Sequence, residues 1–149
     1  MANYKIIHGN LNLTNILVKK DNNRNIYKLH GYGVNQEYLN ILESFSSYQG
    51  RTLYSAPEVL EGGNLDIKSD LWSLGVVIYT LLFGKEPYLG NDNAAVLKNI
   101  KENGHNNLQS SKNSQLDNLI RQLLTVNLRD RLSWEHYFDH PFLVGRKRY

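Results

Sequence analysis

The residues best suited to chemistry lie in the first part of the sequence, where His8 is followed by Asn10, Asn12 and Asn15, and His30 comes later. Imidazole rings bind metals and exchange protons near neutral pH, and amide oxygens can bind hard cations such as Mg²⁺. Neither histidine has a carboxylate next to it in the sequence. The two histidines alone therefore do not predict a metal site or an acid–base pair.

Four stretches carry these and other polar residues in a fixed order. His8–Leu17 reads His-Gly-Asn-Leu-Asn-Leu-Thr-Asn-Ile-Leu, Lys28–Gly33 reads Lys-Leu-His-Gly-Tyr-Gly, Gly50–Glu58 ends in Ala-Pro-Glu, and Asp70–Gly75 reads Asp-Leu-Trp-Ser-Leu-Gly. Together they resemble the signature set of the eukaryotic protein kinases. The corresponding kinase elements are the catalytic loop, the Asp-Phe-Gly motif, the Ala-Pro-Glu segment and the central helix of the C-terminal lobe.

The resemblance continues to the C-terminus through Gly84–Tyr88, Asn127–Ser133 and His140–Phe142, and so covers nearly the whole chain. It implies the C-terminal lobe of a Ser/Thr kinase without its N-terminal lobe. The implied fold is mainly α, with a small β-hairpin and with helices packed around one central buried helix. The implied divisions are 1–34 for the loop and hairpin, 35–58 for an activation-segment-like loop, 59–143 for a helical subdomain and 144–149 for a basic tail.

The same resemblance implies that groups needed for phosphate transfer have been replaced. Asn10 stands at the position of the catalytic base, and an amide cannot accept a proton at neutral pH. Gly31 stands in place of the metal-binding aspartate and offers magnesium no side-chain ligand. Asn12 replaces a phosphate-binding lysine. Asn15 remains at the second metal-ligand position, where one neutral amide is a poor site, so we expect it to hydrogen-bond within the loop.

Other kinase parts are also changed or missing. Gly9 replaces the arginine that clamps a phosphate in many kinases, and Arg51 replaces a threonine of the substrate-facing loop. No Gly-rich loop precedes His8, and Gly31-Tyr32-Gly33 lacks the length and the following helix of a phosphate-binding loop. We therefore expect a catalytically inactive pseudokinase that is not an enzyme, with no cofactor and no metal.

The structural residues of the family are retained. The resemblance implies a buried ion pair between Glu58 and Arg131, and hydrogen bonds from the backbone near His8 to Asp70. It also gives His8 a structural position, whereas His30 is expected to face outward from a strand. The alternative for these charged residues is ordinary surface charge.

The elements that must position these residues follow from periodicity. Apolar residues recur at three- and four-residue spacing over Asp66–Phe83, which predicts a buried helix ending at Gly84. Three further helices are predicted, and Ser114 and Ser133 are expected to cap the second and third: Asn91–Glu102, Ser114–Val126 and Ser133–Phe138. A hairpin is predicted from Ile16–Val18, a polar turn Lys19–Asn25 and Ile26–Leu29. The segment Asn35–Arg51 is predicted to be a loop with one helical turn around Tyr38 to Glu43.

Composition narrows the setting. The chain has 149 residues and no cysteine, so a disulfide framework is excluded and a cytoplasmic, intracellular location is the default expectation. The longest apolar run, Leu71–Gly84, is shorter than the roughly twenty residues of a membrane helix. The net charge is +3, and the tail Arg146–Arg148 is either a solvated end or a contact for nucleic acid or an acidic partner. We expect no nucleic acid and no membrane as partners.

The favoured function is that of a protein-binding, scaffold or structural subunit. We expect the helix that precedes the catalytic loop in kinases to be absent, a flank of the central helix Leu71–Phe83 to lie open as a result, and a protein partner or a homo-oligomer to cover it. One alternative is a divergent kinase whose other lobe comes from a longer parent or another chain and which transfers phosphate from ATP. Another is metal-free nucleotide binding by a longer parent protein.

Overall fold

The structure, a computed structural model, describes residues 6–22, 24–32 and 52–145. A short 3₁₀ turn, Leu13–Asn15, leads into a β-hairpin, and helices follow. The elements are β1 (Ile16–Asp21), β2 (Arg24–Leu29), α1 (Pro57–Leu60), α2 (Ile67–Phe83), α3 (Asn93–Asn103), α4 (Ser114–Leu123), α5 (Trp134–Phe138) and α6 (Pro141–Val144). A second 3₁₀ turn, Gly104–Asn107, follows α3. The mainly α fold with a small hairpin is confirmed.

The hairpin is longer, and its turn tighter, than the sequence predicted. The strands β1 and β2 are antiparallel, and Asp21 lies opposite Arg24. The predicted polar turn Lys19–Asn25 is therefore wrong, because most of it belongs to the strands. Asn22 has a φ of 42°. Asparagine is among the few residues other than glycine that adopt a left-handed conformation, which two-residue hairpin loops need.

The helix α2 forms the centre of the fold, as predicted. Asp66 lies just before it and caps it: its carboxylate accepts from Lys68 N at 2.8 Å, and its own N–H donates to Ser69 Oγ at 3.1 Å. Gly84 ends the helix in the left-handed conformation, with a φ of 71°. The caps explain why the helix has the predicted end and begins one residue later than predicted.

Large side chains of α2 make the core. Leu71, Trp72 and Val76 are fully buried, and the Trp72 ring stacks on Tyr88 with the ring centroids 5.8 Å apart. On another face Gly75 allows α4 to approach closely. A Cβ atom at Gly75 would lie 2.9 Å from the Cβ of Leu123. The close spacing of α2 and α4 therefore requires a residue without a side chain at position 75.

The predicted ends of the other helices shift by a few residues. The α3 helix begins at Asn93 because Asp92 caps it by accepting from Ala95 N at 2.7 Å. The α4 helix begins at Ser114, but Asn113, and not Ser114, is its capping residue. It ends at Leu123 rather than Val126. Ser133 caps α5, as predicted.

Two short helices, α1 and α6, were not predicted. Each begins with a proline, Pro57 in one and Pro141 in the other. Proline is favoured at the first position of a helix because its fixed φ fits and its missing N–H would have no partner there. The predicted loop Asn35–Arg51 and the basic tail Arg146–Arg148 lie outside the described residues. None of the described helices is long and apolar enough to cross a membrane.

Replacing Gly75 by alanine should destabilise the protein. The new Cβ would press on the Cβ of Leu123, which cannot rotate away. Overpacking of this kind costs about 1–3 kcal/mol, which should exceed the gain of about 1 kcal/mol that alanine brings to a helix. Thermal or urea unfolding followed by circular dichroism measures the difference. The control is Leu81→Ala at the exposed end of the same helix. An unchanged unfolding midpoint for Gly75→Ala would show that α4 does not depend on this close approach.

Candidate functional site

The loop 8–15 is held on the central helix by the side chain of Asp70. This residue lies in the first turn of α2, where it is buried. Its two carboxylate oxygens accept hydrogen bonds from the backbone N–H groups of His8 at 2.7 Å and Gly9 at 2.9 Å. Burial raises the pKa of Asp70, and the two hydrogen bonds act in the opposite direction. Since each oxygen binds one residue of the loop, the carboxylate fixes both the position and the direction of the chain at the start of the site.

Asn12 is the centre of a hydrogen-bond network within the loop. Its Oδ1 accepts from Thr14 N at 2.9 Å, Thr14 Oγ1 at 2.6 Å and Asn15 N at 3.1 Å. Its Nδ2 donates to the backbone oxygen and the Oδ1 of Asn10, both at 3.1 Å. The residue is buried and caps the 3₁₀ turn Leu13–Asn15. Sequence reasoning treated Asn12 only as a missing lysine and overlooked its role as a cap, which asparagine fills often.

Asn10 cannot act as a base in this arrangement. Its side-chain oxygen already accepts from Asn12, and its backbone oxygen accepts from Asn15 Nδ2 at 2.8 Å. The remaining polar group of the side chain, Nδ2, can only donate. An amide that has its oxygen occupied can orient an acceptor, but it cannot take a proton from a hydroxyl group.

The two histidines do not form a joint site. The ring of His8 accepts from Asn10 N at 3.2 Å through Nδ1, and its buried Nε2 has no hydrogen-bond partner among the described residues. His30 is exposed, and its backbone N–H donates to Asn15 O at 2.9 Å. In the described part of the chain, no group of three or more histidine, aspartate and glutamate residues is placed to hold a metal ion.

Gly31 lies directly against Asn15. It has a φ of 74°, and a Cβ atom there would be 3.0 Å from the side-chain nitrogen of Asn15. An added side chain would therefore strain the backbone and also displace the Asn15 amide. Asn15 makes the hydrogen bond within the loop that was expected of it, and it also occupies the space beside position 31.

Next to this loop lies a small cavity lined by both polar and apolar residues, among them Asn10, Tyr54, Val59 and Asp70. Its volume is about 20 Å³. A cavity of this size accommodates roughly one water molecule. The cavity therefore separates the loop from the segment that precedes α1, but it is far too small for a nucleotide.

The second anchor of the site is the ion pair between Glu58 and Arg131. The guanidinium donates from NH1 to Oε1 and from NH2 to Oε2, each at 2.8 Å. The Arg131 side chain is fully buried and also donates to the backbone oxygen of Thr125 at 2.9 Å. Ser69 Oγ adds a hydrogen bond of 2.8 Å to Glu58. Burial by itself would raise the pKa of Glu58, but the hydrogen bonds and charge of Arg131 lower it below the ordinary value.

Lys68 makes contacts that no sequence pattern indicates. Its Nζ donates to the backbone oxygens of Leu128 at 3.1 Å, Arg129 at 3.1 Å and Arg131 at 2.8 Å. The first two turns of α2 thus hold the loop before α5. The start of α2 also binds the other two parts of the site, since Ser69 contacts Glu58 and Asp70 contacts the loop 8–15.

The structure brings some predicted site residues together and keeps others apart. His8, Asn10, Asn12, Asn15 and Gly31 lie within or directly against one loop. The ion pair of Glu58 and Arg131 lies on the other side of Ser69 and contacts none of them in the hydrogen bonds of the described residues. Arg51 lies outside the described residues.

Comparison with known proteins gives a consistent result. The family model for the protein kinase domain matches residues 1–143. The serine/threonine-protein kinase atg1 of Dictyostelium discoideum is 34% identical over 142 residues, which cover 93% of this chain and 20% of the relative. The serine/threonine-protein kinase ATG1b of Arabidopsis thaliana is 31% identical, over 97% of this chain and 20% of the relative. The mitosis inducer protein kinase cdr1 of Schizosaccharomyces pombe is 33% identical, over 95% of this chain and 23% of the relative.

These relatives correct one prediction. The replaced residues Asn10, Asn12 and Gly31 led to the expectation that the protein is not an enzyme. This expectation is wrong, since the chain matches a kinase domain and its relatives are named serine/threonine-protein kinases. The chain spans about one fifth of the length of these relatives.

The ion pair should make the protein sensitive to acid. Because the pKa of Glu58 is lower in the folded state, its contribution is complete above the ordinary value of 4.5 and is lost as the pH falls through the lower, folded pKa. In Glu58→Gln this part of the pH dependence should be absent. The variant should also lose about 3–5 kcal/mol at neutral pH, because Arg131 stays buried without its carboxylate.

Urea unfolding at several pH values between neutral and strongly acidic measures both effects. Asp70 has a raised pKa and contributes the opposite slope, so the informative quantity is the difference between the wild type and Glu58→Gln at each pH. Glu102→Gln, in an exposed pair with Lys98, is the matched control and should follow the wild type. Parallel curves for the wild type and Glu58→Gln would contradict the role of the ion pair.

Proposed function

The chain belongs to the protein kinase family, and from this premise we propose that it forms the C-terminal lobe of a serine/threonine kinase domain and that this lobe also binds another protein. The observation that carries this proposal is the contrast between framework and site. The carboxylate of Asp70 and the pair of Glu58 with Arg131 hold the loop and α1 in place. The positions of the catalytic base and of the phosphate-binding lysine are taken by Asn10 and Asn12, whose side-chain amides bind each other.

Exposed apolar side chains on α2 support a protein-binding role. At the C-terminal end of the helix, Leu81 is 69% exposed and Leu82 is 41% exposed. Leu74 and Ile78, earlier on the same helix, pack against the core and are only partly buried. The proposed partner surface is therefore narrower than the whole flank Leu71–Phe83 and is centred on the end of the helix. A protein partner or a second copy of the chain would remove these leucines from water.

The surface can be tested by the state of assembly of the chain. Size-exclusion chromatography with light scattering should give a mass above the 17.2 kDa of one chain, because the exposed leucines favour association. The double variant Leu81→Ser with Leu82→Ser should elute as a monomer. Val144→Ser removes another exposed apolar side chain, on α6, and should leave the mass unchanged. A stable monomer for the wild type would contradict self-association through this surface.

A second candidate function is phosphate transfer from ATP to a protein hydroxyl group by a longer protein that contains this chain. The names of the relatives favour it. In such a reaction the hydroxyl oxygen bonds to the γ-phosphorus, the bond to the β-phosphate oxygen breaks, and the hydroxyl proton must leave. Asn10 cannot take that proton, and Gly31 supplies no ligand for magnesium. We therefore propose that transfer by the longer protein is slow and limited by the chemical step.

Restoring the carboxylate at position 10 should raise this rate. General-base catalysis contributes about 10²–10⁴ in rate, so Asn10→Asp in the complete protein should increase labelling of a protein substrate by about that factor. Radiolabelled ATP with magnesium or manganese measures it. Asn25→Asp, the same change in an exposed part of β2, is the control. Gly31→Asp should add less, because position 31 has a left-handed backbone and no free space beside Asn15. No labelling by either the wild type or Asn10→Asp would contradict phosphate transfer.

A further inference from the structure

Asn103 and Gly104 form a dipeptide that is chemically labile. Of the asparagines in the sequence, Asn103 alone is followed by glycine. Asparagine is a thermolabile residue, because the backbone nitrogen of the next residue can attack its side-chain carbonyl carbon. A glycine in that position has no side chain to obstruct the attack. The pair lies where α3 ends at Asn103 and the 3₁₀ turn Gly104–Asn107 begins.

The reaction of this pair converts the asparagine to an acid without an enzyme. Hydroxide removes the proton of Gly104 N, and this nitrogen bonds to Cγ of Asn103 and closes a cyclic imide. The bond from Cγ to Nδ2 breaks, and Nδ2 leaves as ammonia with a proton from water, which restores the hydroxide. Water then adds to either carbonyl carbon of the ring and breaks the bond of that carbon to nitrogen. The product is aspartate or isoaspartate, according to which carbonyl carbon the water attacks.

In the folded chain, both reacting groups are engaged by other partners. The side chain of Asn103 turns back along α3, where its Nδ2 donates to Asn99 O at 3.3 Å and to Asn99 Oδ1 at 3.1 Å. The backbone N–H of Gly104 donates to the backbone oxygen of Ile100. Because the amide of Asn103 and the N–H of Gly104 are each held by a residue earlier in α3, the attack requires the last turn of the helix to open.

The carbonyl group of Gly104 is tied to the core of the protein. Its oxygen accepts a hydrogen bond of 3.0 Å from the hydroxyl group of the buried Tyr88, whose ring stacks on Trp72 of α2. Gly104 has a φ of 46°, which favours glycine. The residue that lets the chain turn after α3 is thus also the residue that makes Asn103 reactive, and the contact with Tyr88 holds this turn in place.

We propose that Asn103 is a site of spontaneous deamidation, whose rate is set by the opening of the last turn of α3. Helix ends open with a smaller free energy than the whole fold, so the reaction proceeds from a locally open state. The product holds the turn less well than asparagine does. Aspartate has no amide hydrogens to donate to Asn99, and its charge lies beside Glu102 at the C-terminal end of a helix, where negative charge is unfavourable.

Peptide mapping by mass spectrometry measures the reaction in the whole chain, as the gain in mass of the peptide that contains Asn103. The chain is incubated at mildly alkaline pH, both in buffer and in concentrated urea. We expect Asn103 to react before the other asparagines in urea, and to react in buffer at least about tenfold more slowly than in urea, because only the open fraction reacts. Asn103→Gln should abolish the reaction at this position, since glutamine would have to close a larger ring.

A variant of Tyr88 tests the dependence on opening. Tyr88→Phe removes the hydroxyl group and keeps the ring that stacks on Trp72, so it should raise the rate in buffer by about two- to tenfold, the effect of one lost hydrogen bond. The rate in urea should not change. Hydrogen exchange of the Gly104 N–H, which requires the same opening, should become faster by a similar factor. Tyr27→Phe makes the same change at an exposed position of β2 and is the control.

Three results would overturn the proposal. Equal rates in buffer and in urea would show that the end of α3 gives Asn103 no protection. A reaction confined to urea, in Tyr88→Phe as in the wild type, would show that the turn does not open locally. An unchanged rate of deamidation in Tyr88→Phe would contradict control of the reaction by the opening of this turn. Circular dichroism checks that the wild type and both tyrosine variants are folded in buffer.

Discussion

Asp70 lies in the first turn of the buried helix α2, with both carboxylate oxygens bound to backbone N–H groups of the loop at His8 and Gly9. A buried carboxylate is costly unless donors surround it, and here the donors come from a segment far away in the sequence. If the loop left the helix, the carboxylate of Asp70 would lose both of its backbone donors. This cost keeps the loop bound to the helix. Because Asp70 is next to Ser69, which binds Glu58, the same turn of α2 also fixes the start of α1. The position of the whole candidate site depends on this turn.

The framework and the chemistry of the site are physically separate. The framework uses buried charges bound to backbone groups, to Ser69 and to Arg131, and these contacts need no ligand. The loop side chains that face the site form a neutral network of Asn10, Asn12 and Asn15. Each amide fills a hydrogen-bonding position that keeps the loop in shape. The loop is therefore held in shape by neutral side-chain amides, and the side-chain nitrogen of Asn10 can donate a hydrogen bond but cannot accept a proton.

Much of the fold could be predicted from the sequence because it depends on local signals. The central helix follows from apolar spacing, its start from Asp66 and its end from Gly84, whose missing side chain allows the left-handed φ. The pair of Glu58 and Arg131 was implied by the resemblance, and the structure contains it. The end of α4 was not predictable in this way. Thr125 and Val126, predicted to be helical, lie outside the helix and direct their carbonyl groups to Arg131. The position of the Arg131 side chain depends in turn on its ion pair with Glu58, which is far away in the sequence.

The candidate site was harder to predict, because each residue that differs from the kinase motif was interpreted only as the loss of a catalytic group. Asn12 reads as a missing lysine when compared with kinases, yet in the structure it accepts three hydrogen bonds and caps a turn. No sequence pattern around Lys68 indicates its three carbonyl partners. Only the packing of the loop before α5 brings these carbonyl groups close to the lysine. The prediction that the protein is not an enzyme had the same origin. It gave the replaced side chains more weight than the similarity to serine/threonine-protein kinases, which extends over nearly the whole chain.

The exposed leucines of α2 lie at the opposite end of the helix from the turn that fixes the candidate site. Asp70 lies in the first turn, whereas Leu81 and Leu82 lie in the last turn and are exposed. After the helix, Lys85 and Glu86 carry opposite charges, so a partner that covers the leucines needs no particular charge. Its binding would depend mainly on the apolar area removed from water. A contact at this end would leave the hydrogen bonds of Asp70 to the loop untouched, because none of their groups lies there.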